Sequence, residues 1–273
     1  MAQLLHEAIL VAERTRDRTV LRHLRGARLS LHESFDTDVP IRVDIISGRV
    51  FARGLPIAFS RAELAVVIAL ALNERGVPSE LLAEDLYPNA DITAAANTLK
   101  VNVHRVRRRA GSHNVIRHAD GRYRLGETID VDLPRAESEL RCLRLGRCLT
   151  SEARDRMERL RRRVLEGRPA FILQWSWFDE TEQRLRELGR ELTLLLARDA
   201  LDEEHYQRAL ELVAELGRED PLDEVAAEIA IRAFLLAGDH AAAVLHYRRY
   251  ASVLQREINS RPSEDLRALV REA

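Results

Sequence analysis

The strongest constraint on the fold comes from residues 93–110, which read TAAANTLKVNVHRVRRRA. If Thr93 caps the N-terminus, a helix running to about Ala110 places four apolar residues on one side, spaced four, three and four residues apart: Leu99, Val103, Val106 and Ala110. A narrow apolar stripe of this kind packs against a core. The pattern therefore predicts a helix with one buried face and one face left for solvent or a partner.

Positive charge is concentrated on this helix and on the segment that follows it. Between Thr93 and Arg124 there are eight Lys and Arg residues and one acid, Asp120, for a local charge of +7, although the formal net charge of the chain is −1. Such a concentration is typical of a surface that meets phosphates. A solvated helix face rich in arginine is the alternative interpretation.

The side of the predicted helix opposite the apolar stripe carries the residue types that read DNA. It holds Asn97, Val101, His104, Arg105 and Arg108, with Lys100 and Arg107 on one flank and Asn102 and Arg109 on the other. Asparagine can form two hydrogen bonds with adenine, arginine can do so with guanine, and an aliphatic side chain can contact the thymine methyl group. The flanking cations suit phosphates, which set the register on DNA. We therefore predict that this helix lies in the major groove of double-stranded DNA.

The flanking sequence predicts short strands, two further helices and a basic hairpin. Residues 41–59 alternate apolar and polar positions between turn signals, and Ser60 and Glu63 form a capping box before the apolar run 64–72. Residues 76–79 are expected to end that helix and cap a second, over 80–86. Asp120-Gly121 then joins two short strands as a hairpin, whose predicted DNA contacts are Arg117, Arg122 and Arg124. This order of elements is that of a winged helix-turn-helix.

Four motifs in this region occur together in a known order and spacing. They are FSRAEL from Phe59, GVPSELLAEDLYP from Gly76, ANTLKVNVHRVRR from Ala96 and GRYRL from Gly121. Residues 42–125 thereby resemble the winged-helix domain of the OmpR/PhoB type, in the form found in SARP-like activators. The family often has tryptophan where this chain has Tyr87, a change within the core. The resemblance implies that the third helix enters the major groove, while the wing touches the adjacent minor groove or the backbone.

From residue 131 onward the pattern is all helical. Breaks in the pattern delimit six or seven helices of roughly 10–25 residues, one of which is expected to start at Asp220-Pro221, with the carboxylate as cap and proline in the first turn. The segments HYQRAL from His205 and HAAAVL from His240 recur 35 residues apart, close to the tetratricopeptide period. We therefore expect an array of helical hairpins rather than a compact bundle.

Further motifs carry a second resemblance. They are LEGRP from Leu165, WSWF from Trp175, GREDPL from Gly217, AFLLAG from Ala233 and RPSEDLRAL from Arg261. Residues from 132 to the end resemble the bacterial transcriptional activator domain that follows the winged helix in SARP-like proteins. The resemblance implies a second copy of the chain or RNA polymerase as protein partner. Residues 199–230 carry eleven acids and two arginines, a charge of −9, so this half is expected to meet protein rather than DNA.

Residues 1–37 match neither module. Their apolar positions suggest an amphipathic helix, followed by a basic part: Leu4, Leu5, Ala8, Ile9, Val11 and Ala12, then Arg14, Arg16, Arg18, Arg22, Arg25 and Arg28. Three interpretations stay open for this extension. It is a docking helix, a dimerisation element, or the remnant of a larger upstream region.

Signals for catalysis are weak. The phosphate-binding pattern GxxxxGK[ST] does not occur, and His104, His113 and His118 have no cysteine or carboxylate at zinc-like spacing. Trp175 and Trp177 could line a pocket, although packing of helix ends is the favoured interpretation. We expect no enzymatic activity, no cofactor and no metal.

The location of the protein can also be predicted. The N-terminal residues include Glu7 and lack a basic start, so no signal peptide is expected, and the longest apolar run, 64–72, is too short to span a membrane. Cys142 and Cys148 lie six residues apart in a predicted helix, which disfavours a disulfide and suggests reduced thiols in the core. A cytoplasmic protein that does not bind membranes is expected.

Together these patterns predict a mainly α protein. It comprises an N-terminal helical extension (1–37), a winged helix-turn-helix DNA-binding domain with short β-strands (38–131) and a tetratricopeptide-like activator domain (132–273). The expected function is that of a sequence-specific transcription regulator, an activator that forms homo-oligomers on double-stranded DNA. The alternative is a protein-interaction scaffold whose winged fold no longer binds DNA.

Overall fold

The computed structural model describes residues 40–145 and 149–271. This chain divides into two compact units between Asp132 and Leu133. The predicted N-terminal extension and Cys148 lie outside the described residues. Each unit is described separately below.

The first unit contains two small sheets. One consists of β1 (Ile41–Asp44), β2 (Arg49–Ala52), β3 (Leu55–Pro56) and β7 (Ile129–Val131), in the order β3-β2-β1-β7. The β1–β7 pair is parallel, and the other pairs are antiparallel. The other sheet consists of β4 (Val77–Pro78), β5 (Ile116–Ala119) and β6 (Arg122–Leu125), in the antiparallel order β4-β6-β5. The β5–β6 hairpin is the wing.

Three helices lie between these strands: α1 (Arg61–Ala71), α2 (Ser79–Leu86) and α3 (Ile92–Ala110). Every residue of α1 from Glu63 to Ala71 is buried, so this helix forms the centre of the unit. The predicted capping box is confirmed, because the Glu63 amide donates to the Ser60 hydroxyl at 3.3 Å and the Ser60 amide donates to the Glu63 carboxylate at 2.7 Å. The first unit is a winged helix-turn-helix, as predicted.

The start of α3 differs from the prediction. Its N-cap is Asp91 rather than Thr93, because the Asp91 carboxylate accepts hydrogen bonds from the amides of Thr93 and Ala94 at 2.9 and 3.0 Å. A carboxylate caps a helix as well as a hydroxyl does, and it is also favoured by the helix dipole. The helix ends at Gly111, whose left-handed φ of 72° suits glycine.

The second unit is entirely helical over its described residues. Its α-helices are α4 (Asp132–Leu145), α5 (Ser151–Glu166), α6 (Asp179–Asp202), α7 (Tyr206–Glu219), α8 (Glu224–Leu236), α9 (His240–Ile258) and α10 (Glu264–Arg271). Two short 3-10 turns, Ile172–Gln174 and Ser176–Phe178, precede α6. From α5 to α9 each helix packs against the next one in sequence, which is the arrangement of stacked helical hairpins. The predicted mainly α fold class is confirmed.

Two expectations about this unit are wrong. The first concerns α8, whose N-cap is Asp223 and not Asp220, since the Asp223 carboxylate accepts from the Ala226 amide at 3.1 Å. Asp220 instead accepts from the Leu222 amide and closes the preceding turn. The second concerns Cys142, which is exposed rather than in the core. Across the described residues, no helix is long and apolar enough to cross a membrane.

Two glycines give opposite predictions for replacement by alanine. At Gly76, with φ +72°, an added Cβ would lie 2.7 Å from the Tyr123 carbonyl oxygen and 2.9 Å from the Arg124 Cβ. We expect Gly76→Ala to destabilise the first unit by roughly 1–3 kcal/mol, because the backbone must shift or bear strain. In helix α7, a Cβ added at Gly217 would have no atom of another part of the chain within 4 Å, so Gly217→Ala should stabilise the second unit by about 0.4–1 kcal/mol.

Calorimetry of the full chain tests both substitutions, with the wild type as the common reference. A Gly76→Ala protein that unfolds at the wild-type temperature would show that the approach of β6 to residue 76 does not constrain the fold.

Candidate nucleic-acid interface

Helix α3 has the two faces that its sequence predicts. Its buried residues include the whole predicted stripe: Leu99, Val103, Val106 and Ala110. On the opposite side the following residues are exposed: Asn97, Val101, His104, Arg105 and Arg108. Val101 is 48% exposed, although it is aliphatic. The structure thus places one apolar, one amide and several basic side chains together on a single accessible helix face.

Three cations of α3 are free of protein partners. Within the described part of the chain, Lys100, Arg105 and Arg108 take part in no ion pair or side-chain hydrogen bond. All three are exposed. Since a guanidinium carries five N–H donors and an ammonium three, this face has many unused donors aimed at solvent. Such a surface suits an anionic ligand rich in acceptors.

Asn102 does not belong to this face, and its predicted place on the flank is wrong. It is only 4% exposed, and its amide nitrogen donates to the phenol oxygen of Tyr87 at 2.7 Å. Position 102 follows Leu99 by three residues and precedes Val106 by four, so it lies beside the buried stripe. Burial raises the pKa of Tyr87, while the bond from Asn102 acts in the opposite direction. The pair fastens the residues before α3 to the helix itself.

Two further arginines of α3 are engaged within the unit. The guanidinium of Arg107 donates twice to the carbonyl oxygen of Ile116, from Nε at 2.9 Å and from Nη2 at 2.7 Å. Arg109 donates to the Ala58 carbonyl at 2.7 Å and forms an ion pair at 3.2 Å with Glu63, whose side chain is 1% exposed. Arg107 therefore holds the wing against α3, and Arg109 holds the start of α1 against the same helix.

The wing has the hairpin geometry predicted for Asp120-Gly121. Both turn residues have positive φ, 51° and 71°, as a two-residue hairpin turn of this type requires. Of the wing arginines, Arg117 pairs with Glu127 at 3.0 Å, and Arg122 donates to the Gly76 carbonyl at 3.0 Å. Arg124 is exposed and has no such partner in the described chain. The predicted basic wing thus offers one uncommitted cation.

Contacts at the wing tip were not predicted from the sequence. The Ser79 amide and hydroxyl both donate to the Gly121 carbonyl oxygen at 2.9 Å. The same hydroxyl lies 3.0 Å from Nε2 of His118, whose ring packs on that of Tyr123 with centroids 4.4 Å apart. These bonds fix the wing to the first turn of α2 across about forty residues of sequence, a separation that leaves no local signal.

The acidic run in the second unit is largely compensated. Six of its eleven acids form ion pairs with arginines: Asp199, Glu203, Glu211, Glu215, Asp223 and Glu228. Four of the partner arginines lie outside residues 199–230: Arg154, Arg161, Arg190 and Arg232. The charge of −9 therefore overstates the charge that this surface presents, and the expectation that its charge would repel DNA loses its main support.

The two tryptophans that could have lined a pocket are instead part of an aromatic cluster. The rings of Trp175 and Trp177 stack with centroids 5.0 Å apart and an interplanar angle of 13°, and Phe171 and Phe178 meet them edge-on. This cluster packs at the start of α6. Among the residues that the structure describes, no group of three histidine, cysteine or acidic side chains could hold a metal ion.

The second unit also matches a known family. Residues 163–273 match the bacterial transcriptional activator domain. The resemblance to SARP-like activators is confirmed. In this chain the winged helix-turn-helix unit comes first, and the matched domain lies in the second unit. None of the curated protein sequences compared with this chain is significantly similar to it.

A solved structure has the same fold. It is that of Mycobacterium tuberculosis EmbR in complex with a low affinity phosphopeptide, with a TM-score of 0.72 and 19% sequence identity. The similarity covers 86% of this chain and 65% of the EmbR chain. At this level of identity the match establishes the fold alone, while contacts between α3 or the wing and DNA stay predictions.

Proposed function

We propose that this chain is a cytoplasmic, sequence-specific DNA-binding regulator that activates transcription. The observation that carries this proposal is the exposed face of α3, where three unpartnered cations accompany Asn97 and Val101 opposite a fully buried stripe. The arginines of the same helix that are engaged, Arg107 and Arg109, hold the wing and α1 in place. Helix α3 therefore carries side chains available to contact DNA bases and other side chains that fix the helix within the unit.

The proposal gives each exposed side chain a role. Asn97, Arg105 and Arg108 are placed at base edges, and Val101 at a thymine methyl group. Lys100, His104 and Arg124 are placed at phosphates, where they set register. Arg107, Arg109, Arg117 and Arg122 act mainly as positioning residues, because each already has a protein acceptor.

The exposed face of α3 is short, and its length suggests how many copies of the protein bind one DNA site. The twelve residues from Asn97 to Arg108 are separated by eleven steps and span about 16 Å along the helix. That span corresponds to about five base pairs, at about 3.4 Å for each step. Five base pairs give little selectivity in a genome, so we propose that two copies bind adjacent sites and gain affinity through effective concentration. The stacked hairpins of the activator domain supply an extended surface for the second copy or for RNA polymerase.

Sequencing of genomic fragments retained by the full-length protein tests the proposal. We expect enrichment of a repeated motif of about five base pairs per copy, with affinity that falls as salt rises. Within that assay, Arg124→Ala should flatten the slope of log affinity against log salt by up to about 0.9, the value of one phosphate contact.

Arg49→Ala, which removes an exposed arginine from β2, serves as the matched control and should leave the slope unchanged. Retention of fragments without any shared motif, or no retention at all, would favour the scaffold interpretation instead.

A further inference from the structure

A groove of about 460 Å³ lies in the first unit between α2, the start of α3 and the wing. Its lining is mostly apolar and includes Ala83, Tyr87, Ala95, Leu99 and Tyr123. A concave apolar site of this volume is large enough for several side chains of a bound segment. It lies beside the exposed face of α3 and is formed by different residues, apart from Lys100.

Large aliphatic side chains are exposed at this groove and on the helix that forms one wall. Ile92, at the start of α3, lines the groove and is 84% exposed. Leu81, on α2, is 53% exposed. Exposed apolar surface around a concave site is typical of a surface that binds another polypeptide. The groove thus has the apolar contacts that would receive one face of an amphipathic helix.

The wall that α2 contributes to the groove is acidic, whereas Lys100 and His118 line the groove from α3 and the wing. Glu80 and Glu84 line it, and Asp85 follows on the same helix. All three are exposed, and none has an ion-pair partner within the described chain. Helix α2 contains no basic residue. An occupant that complements this groove therefore combines apolar side chains with positive charge.

The chain itself contains a segment of that composition. Seven of the nine residues 4–12 are apolar, and six arginines follow between positions 14 and 28. We propose that residues 4–28 bind this groove, with the apolar side chains against its floor and arginines against Glu80 and Glu84. The contact is within one chain, and it assigns a partner to an extension that neither module explains.

The connecting chain is long enough for this contact. With residues 4–28 bound, the connection from Arg28 to Pro40 has twelve residue steps and can extend to roughly 40 Å. A unit of about ninety residues has a radius of gyration of roughly 12 Å, so a connection of this length reaches most of its surface. A tether of this kind also holds the segment at a high effective concentration near the groove.

Occupation of the groove has a consequence for DNA binding, which rests on the function proposed above. Lys100 of α3 and His118 of the wing both line the groove. A segment bound there lies beside the face that we assign to DNA. We infer that the segment competes with DNA and lowers the affinity of the resting protein.

Cross-linking in the full-length chain tests the contact without DNA. In a Cys142→Ser, Cys148→Ser background, Ile9→Cys is combined with Ala90→Cys, since Ala90 lines the groove. The control combines Ile9→Cys with Arg49→Cys, at an exposed strand position outside the groove lining. With a short bismaleimide, we expect the 9–90 pair to link within one chain about tenfold faster than the 9–49 pair. Adding Arg14→Glu, Arg16→Glu and Arg18→Glu should abolish the difference.

Equal linking rates for the two pairs would overturn the proposal. Products linked between two chains would also overturn it, because the occupant would then belong to a second copy. DNA affinity gives a separate result, in which Leu5→Asp with Ile9→Asp should raise affinity about tenfold by freeing the groove. If no variant binds DNA, the proposed function fails, and the cross-linking still decides whether the groove holds residues 4–28.

Discussion

Replacing Arg105 by alanine should weaken binding to the specific DNA site by about 1–3 kcal/mol, which is a loss of roughly 5- to 160-fold in affinity. The guanidinium is exposed on α3, shares its face with Asn97, and has no partner in the described chain. Its removal therefore leaves the protein fold intact and deletes only contacts to the ligand. The measurement is a titration of the specific site and of random duplex DNA at one salt concentration.

The comparison between the two DNAs decides the role of the side chain. Loss of a base contact lowers the protein's affinity for the specific site and relaxes its preference at one base pair. Loss of a phosphate contact lowers its affinity for both DNAs equally. Arg49→Ala, on strand β2, is the matched control and should change neither affinity. An equal loss on both DNAs for Arg105→Ala would remove this residue from base reading.

The second large effect is expected at Asp223, which performs two tasks in the helical unit. Its carboxylate caps α8 through the Ala226 amide and accepts two hydrogen bonds from Arg190, at 2.7 and 3.0 Å. The Asp223 side chain is 2% exposed and that of Arg190 is 35% exposed. The pKa of Arg190 is raised, chiefly because its charged form is hydrogen-bonded to Asp223.

Asp223→Ala should destabilise the second unit by about 2–4 kcal/mol. Loss of the cap contributes about 1 kcal/mol, and loss of the charge-assisted hydrogen bonds contributes roughly 1.5–3 kcal/mol. The total is smaller than for a fully buried pair, because the partly exposed Arg190 regains water. Urea unfolding followed by tryptophan fluorescence measures this unit selectively, since the two tryptophans of the chain, Trp175 and Trp177, both lie in it.

Two variants separate the cap from the ion pair. Asp223→Asn keeps a good capping side chain and removes the charge, so an intermediate loss is expected. Glu228→Gln breaks the exposed pair of Glu228 and Arg232 and should change stability by less than about 0.5 kcal/mol. If Asp223→Ala unfolds at the same urea concentration as Glu228→Gln, the Asp223 contacts contribute little.

Features with a local cause were predictable from the sequence. The stripe of Leu99, Val103 and Val106 specifies its buried face through helical spacing alone. The wing turn follows from Asp120-Gly121, and the capping box follows from Ser60 and Glu63, since each depends on residues at most three positions apart. These signals placed the exposed face of α3 correctly.

Features that depend on distant partners were not predictable. Arg107 and Arg108 are neighbours of the same type, yet Arg107 lies against the Ile116 carbonyl and Arg108 is free. The local sequence does not distinguish these two arginines. The packing of β5 on α3 distinguishes them. Asn102 was misplaced for a related reason, since its partner Tyr87 lies on the connection before α3. Caps such as Asp91 and Asp223 were misplaced because several polar residues near each helix start could have served.

The double bond from Arg107 to the start of β5 and the bonds from Ser79 to the tip of the wing have a mechanical consequence. With the hairpin held at both its base and its tip, the distance between α3 and Arg124 is set by the protein. A duplex that engages both must match that distance with its own groove width and curvature. A DNA sequence that resists the required groove width or curvature would then bind more weakly, even where the resisting base pairs contact no side chain. The protein would then select its binding sites partly by the flexibility of the DNA.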